Sequence, residues 1–136
     1  MNNKGFTLIE LIATIMLLAI ISLISFVSIN KVIEQNKINN CHTMVDNIKV
    51  ASSEYVSDNR YNSSFIETVP DSKVIQINAQ VLIDGNYLST PIVNPFDKTE
   101  ISADLVIIDI ELNDDYTSKN AVITSPEILL NCNINE

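Results

Sequence analysis

The sequence predicts an α+β protein. One long N-terminal α-helix, with a membrane-crossing first half and an amphipathic second half, packs on a small antiparallel β-sheet head. Three observations predict this. The run from Phe6 to Ile29 contains a single charged residue, Glu10. Between Ile38 and Tyr55, apolar and small residues recur every three or four positions, the repeat of a helix with one buried stripe. In the last third, "DLVIIDIEL" and "EILLNCNI" place apolar residues at every second position, the repeat of strands with one buried face.

The apolar run sets the first element. Leu11–Ile29 is nineteen residues without a charge. At a rise of about 1.5 Å per residue it spans about 28 Å, close to the ~30 Å hydrocarbon core of a bilayer. Ser22, Ser25 and Ser28 recur at every third position and share one helical face, which suits close helix–helix packing in apolar surroundings. A secretory signal peptide would have a shorter apolar core followed by a small-residue cleavage site, and "SFVSINKVIEQNK" offers none. A plain single-pass anchor explains the length but not Glu10, since an ionised carboxylate in hydrocarbon costs roughly 2.5 kcal/mol or more.

The segment "KGFTLIELIATIMLLAII", residues 4–21, resembles the N-terminal signature of type IV pilins and the related pseudopilins. The resemblance implies a leader peptide, Met1–Gly5, removed by a prepilin peptidase that cuts between Gly5 and Phe6 and methylates the new Phe6 amine. Lys4 then holds the leader on the cytoplasmic side. It implies an assembly half of the helix over residues 6–29 and a soluble head over 30–136. The partners implied are homologous pilin subunits in a helical filament, the prepilin peptidase and an inner-membrane assembly platform. In such a filament the Glu10 carboxylate of one subunit meets the Phe6 amine of its neighbour. Many members carry a proline about two-thirds along the apolar segment. This chain has Val27 in that region and no proline before Pro70, so an unbroken helix is expected.

Past the membrane, Ile38, Cys41, Val45, Ile48, Ser52 and Tyr55 form the apolar stripe, and the helix is expected to run from about Phe6 to Ser57. Asn59–Ser72 reads as a linking loop, and "KVIQI" as a short strand. "NAQVLIDGNYL" reads as one or two helical turns, with Asn78 as N-cap and Gly85 as the residue after the last turn. "DGNYLSTPIVNPFDKTEI" resembles a segment common in Gram-positive pilin-like heads. Next come a strand with Val106, Ile108, Ile110 and Leu112 inward, a hairpin connection "NDDYTSKN", a strand "AVITS", and a final strand with Ile128, Leu130, Cys132 and Ile134 sharing a face. A sheet of three or four strands results.

Cys41 lies on the helix stripe and Cys132 on the inward parity of the last strand, so both point into one interface. In an extracytoplasmic head a disulfide between them is permitted. Closing a loop of about 90 residues stabilises by about 4–5 kcal/mol on the chain-entropy account. Two buried free thiols are the alternative.

The remaining chemistry is sparse. Asp84, Asp97, Glu100 and Asp104 lack the D-x-D-x-D-G spacing of a calcium loop and read as solvated turns, so no metal and no cofactor is expected. His42, the sole histidine, is adjacent to Cys41 on the helix, where side chains point about 100° apart, too far for a nucleophile pair. No phosphate loop, catalytic triad or HExxH is present, and the chain reads as non-enzymatic. The net charge of −9 repels nucleic-acid phosphate, so direct nucleic acid binding is not expected.

The function expected is therefore a structural subunit of a type IV pilus, a pilin of Gram-positive type and major or minor, with roles in adhesion. It sits in the cytoplasmic membrane as a single-pass precursor and in an extracellular pilus after assembly. A pseudopilin of a type II secretion or competence DNA-uptake system is the alternative. A membrane-anchored binding module with an uncut N-terminus is a third reading.

Overall fold

The computed structural model describes residues 5–125 together with Ile128 and Cys132, and for residues 25–28 the backbone only. By contacts the chain divides into a first unit ending at Asn36 and a second beginning at Lys37.

One helix, α1 (Leu8–Asn59), runs through both units without a break, as the lack of proline leads one to expect. In the first unit its apolar side chains are exposed all round: Leu8, Ile9, Leu11, Ile15, Leu18 and Leu23 all lie open. A helix apolar on every side has no one-sided core to cover and suits a lipid surround. Ser22 satisfies its hydroxyl within the helix, donating to the Leu18 carbonyl at 2.7 Å. The side chains of Ser25 and Ser28 lie outside the described residues.

In the second unit the same helix becomes one-sided. Cys41, Val45, Ile48, Ala51, Ser52 and Val56 are buried. Ile38 and Tyr55, expected on this stripe, are only half-buried, and His42 is exposed. Ser52, fully buried, donates its hydroxyl to the Ile48 carbonyl at 2.7 Å, so no polar group is left unsatisfied there.

The sheet that shares this core is antiparallel, in the order β1 (Val74–Asn78), β4 (Ile107–Leu112), β5 (Ser118–Ile123). Its register stacks Ile77, Ile108 and Ile123 in one row and Ile75, Ile110 and Ala121 in the next. Burying each large side chain of these rows stabilises by about 1.5–3 kcal/mol. On the opposite face, Gln76 donates to its cross-strand neighbour Asp109 at 2.8 Å, and Lys119 pairs with Glu111. Such exposed pairs add little, in the range of about 0–1 kcal/mol.

Several expected boundaries shift. The segment expected to be a loop, 59–72, contains a helix, α2 (Ser63–Thr68), capped by Asn62, whose side chain accepts from the Ser64 amide at 3.0 Å. Helix α3 (Ala79–Asp84) has Asn78 as N-cap, as expected, accepting from Val81 N–H at 3.2 Å. Gly85 follows it with φ −81°, so it does not supply the left-handed residue. Asn86, at φ 61°, does. A two-stranded pair, β2 (Ile92–Val93) and β3 (Glu100–Ile101), was not foreseen; two-residue strands leave too short a pattern to read. Strand β4 starts at Ile107, because Ala103–Leu105 form a 3₁₀ turn, yet Val106 is still fully buried. Strand β5 begins earlier than "AVITS" and ends at Ile123. There the Ser125 hydroxyl accepts from Ile107 N–H at 2.6 Å and donates to Leu105 C=O at 2.8 Å, standing in for a ladder bond.

The expected last strand is corrected where it can be seen. Ile128 and Cys132 are helical, not extended, and both are buried. Positions four apart share a face under the strand repeat and under the helix repeat alike, so the inward parity holds while the element differs. Leu130 and Ile134 lie outside the described residues.

Gly85 has a packing reason instead of a conformational one. A Cβ there would come within 2.5 Å of the Tyr87 ring. That ring is held edge-on against Tyr55 (centroids 5.7 Å apart) and by a hydrogen bond from its hydroxyl to Asp58 at 3.0 Å. Burial, then the Asp58 carboxylate, hold the Tyr87 hydroxyl above its ordinary pKa of 10.0, so it stays a donor. Gly85→Ala is expected to destabilise the head by about 1–3 kcal/mol through this overpacking. Thermal unfolding of the full chain in detergent checks it, and Gly85→Ala/Tyr87→Leu should recover part of the loss.

Candidate functional site

The candidate site is the start of α1. The helix begins at Leu8, two residues after Phe6, and Thr7 is the reason. Its carbonyl accepts the first ladder bond, from Leu11 N–H at 3.2 Å. Its hydroxyl oxygen accepts from Glu10 N–H at 3.4 Å. In return Glu10 Oε2 accepts from the Thr7 N–H at 3.1 Å and from the Thr7 hydroxyl at 2.9 Å. This is a reciprocal capping box, in which an N-cap threonine and a glutamate three residues on satisfy two of the helix's orphan donors. The positive end of the helix dipole also favours a carboxylate there.

The sequence carried the signal for this, T-x-x-E directly before an apolar run, and reasoning from the membrane charge alone passed over it. Glu10 therefore has a local partner as well as any partner on another molecule. All three of these hydrogen bonds between Thr7 and Glu10 engage Oε2 or the Glu10 amide; none engages Oε1.

Gly5, Phe6 and Thr7 are non-helical and exposed. A Cβ built on Gly5 meets nothing within 4 Å, so the chain's own fold makes no demand for glycine there. Residues 1–4 of the expected leader lie outside the described residues. Among the described residues α1 is long and apolar enough to cross a membrane.

In the second unit, Cys41 and Cys132 are brought together with Cα atoms 5.5 Å apart and their sulfurs adjoining, in disulfide position. The four acidic residues weighed as calcium ligands do not converge. Asp84 accepts from Gln80 at 2.7 Å. Asp97 Oδ1 accepts from the Thr99 hydroxyl at 2.7 Å and the Thr99 amide at 2.9 Å, which hold its carboxyl below its ordinary pKa. Asp115 makes the same turn with Thr117 and is lowered for the same reason. Glu100 lies on β3 and Asp104 in the 3₁₀ turn. Among the described residues no three His, Cys, Asp or Glu side chains gather where a cation would sit.

Residues 1–26 match the family model of the prokaryotic N-terminal methylation motif. The chain carries a type IV pilin-like prepilin signature. That signature supports a prepilin-like substrate of prepilin peptidase, and the motif itself is a structural pilin-like one rather than the mark of an enzyme family. A long N-terminal helix followed by a small antiparallel sheet is the α+β layout of the pilin fold. No characterised protein and no solved structure matches the chain. The motif ends at residue 26, so the head of this prepilin-like chain is read from its own residues.

Proposed function

We propose that this chain is a structural subunit of a type IV pilus, cut between Gly5 and Phe6, methylated on the Phe6 amine and polymerised through α1. Residues 1–5 are the leader, 6–29 the membrane and assembly segment, and 30–136 the exported part. The observation that carries this reading is the lone carboxylate of Glu10, four residues from Phe6 in an otherwise uncharged run of membrane length.

Cleavage turns the Phe6 nitrogen into a cation. In a stack of parallel helices offset along the filament axis, the Phe6 amine of one subunit reaches the Glu10 carboxylate of the next. At about 4 Å and an effective dielectric near 20 the attraction is roughly 4 kcal/mol. That offsets the cost of placing the carboxylate in lipid, roughly 2.5 kcal/mol or more, and does so only where the two charges meet, so the pair favours docking at one register. Removing one partner leaves the other buried and unpaired, at a cost of about 3–5 kcal/mol. The capping box supports the same role, since it holds one carboxylate oxygen on Thr7 and leaves Oε1 for a neighbour.

Cys41 and Cys132 form a disulfide in the exported head. It ties the C-terminal segment to α1 across 91 residues, and a subunit loaded along its axis is thereby held against peeling at that end.

Intact-mass measurement of chain recovered from surface filaments is expected to show a mature protein beginning at Phe6 with one added methyl group. Gly5→Leu should block this cleavage, and because a Cβ at Gly5 meets nothing within 4 Å among the described residues, the block reports on the peptidase. Recovery only from a short stub would reassign the chain to a pseudopilin, and filaments built of uncut chain would remove the reading.

Glu10→Gln keeps the hydrogen-bonding oxygen but not the charge. Membrane insertion should be unchanged while incorporation into filaments falls roughly tenfold or more; normal incorporation at native expression would sink the pairing with Phe6. For the head, non-reducing peptide mapping should yield a linked Cys41–Cys132 peptide, and Cys132→Ser should lower the Tm under oxidising conditions. Two freely alkylated thiols in unreduced, unfolded chain would count against the staple.

A further inference from the structure

The start of α1 poses a problem for processing. A protease must reach the scissile carbonyl, and extended substrates pair their neighbouring N–H and C=O groups with the enzyme. A peptide bond inside a helix has those groups committed to the helical ladder. The segment that follows Phe6 is strongly apolar, and in lipid an uncapped helix end leaves N–H groups without partners. Extending the helix backwards, through Phe6 and towards Gly5, would carry those orphan groups towards the water, and the poor helix propensity of Gly5 is a weak brake of about 1 kcal/mol.

The chain resolves the conflict at Thr7. Its hydroxyl takes the Glu10 amide, and the Glu10 carboxylate takes the Thr7 amide and hydroxyl. The orphan donors nearest the cut are thus satisfied by side chains, and Gly5 and Phe6 stay non-helical and exposed, Phe6 at 84%. We infer that the Thr7–Glu10 capping box holds the Gly5–Phe6 peptide bond outside the helix for the peptidase, which makes Thr7 a positioning residue for processing. The inference rests on cleavage occurring at that bond, as proposed above. In the step itself water adds to the Gly5 carbonyl carbon, the C–N bond breaks, Gly5 leaves as a carboxylate and the Phe6 nitrogen takes a proton. Thr7 touches none of these atoms.

The test follows cleavage of the full chain in membranes by purified prepilin peptidase, read by intact mass, for wild type and for Thr7→Val, Thr7→Ser and Thr7→Asn. Valine keeps the shape without the cap; serine and asparagine keep the cap, and asparagine changes the shape. Thr7→Val should lower kcat/KM about fivefold and move the Phe6 Cα chemical shift of the detergent-solubilised chain towards helical values. Thr7→Ser and Thr7→Asn should stay within about twofold of wild type in both readouts. Cleavage of Thr7→Val at the wild-type rate overturns the positioning role and leaves processing standing. Thr7→Asn cut as slowly as Thr7→Val also overturns it, because the peptidase is then reading threonine itself. A wild-type chain left uncut overturns the processing reading, and this inference with it.

Discussion

One continuous helix has to present two incompatible surfaces, and the rest of the molecule follows from that constraint. From Leu11 to Ile29, α1 is uncharged and apolar on every side, and its described side chains there lie exposed. From Lys37 it is apolar on one stripe only, and a sheet supplies the other half of the core. A helix can change its surface this way at no cost to its backbone, since every ladder bond is internal to the segment. The absence of proline before Pro70 lets that ladder run unbroken.

The charge at Glu10 is best understood at the same level. It sits on the third residue of the helix, where the macrodipole is positive and where Thr7 supplies two donors. Its lone position in an apolar run is thus a local requirement of the helix end, and in the proposed filament it would also serve a partner. The capping bonds engage one of the two carboxylate oxygens. One is committed to the chain that carries it, which holds the group in a single orientation, and a group held in place loses less entropy when a second molecule binds it.

The head draws its core from the helix on one side and the sheet on the other. Two rows of three cross-strand neighbours, Ile77–Ile108–Ile123 and Ile75–Ile110–Ala121, face the stripe of α1. The buried hydroxyls of Ser52 and Ser125 are both satisfied by backbone groups, while Arg60 Nε is buried without a hydrogen-bond partner among the described residues. The loops are stabilised by two turns of one design, Asp97-Lys98-Thr99 and Asp115-Tyr116-Thr117. In each, a carboxylate takes the hydroxyl and amide of the threonine while the middle residue adopts positive φ. These acidic residues are thereby occupied in shaping turns.

The sequence by itself determined the elements whose patterns are long. Nineteen uncharged residues, a stripe repeating over five helical turns and the alternation around Ile108 and Ile110 each admit one reading, because many positions vote together. The prepilin signature was equally legible, since it consists of adjacent residues. Tertiary structure decided the short elements and the exact partners. Helix α2 and strands β2 and β3 are too brief to show a period. Ile128 and Cys132, four apart, satisfy two periods at once, and the structure shows both helical and buried in the core. Gly85 is required by a tyrosine ring two residues away that local pattern cannot place. The physical reason is common to all of these: short-range propensities differ by fractions of a kcal/mol, while burial of a single side chain contributes about 1.5–3 kcal/mol and overrides them.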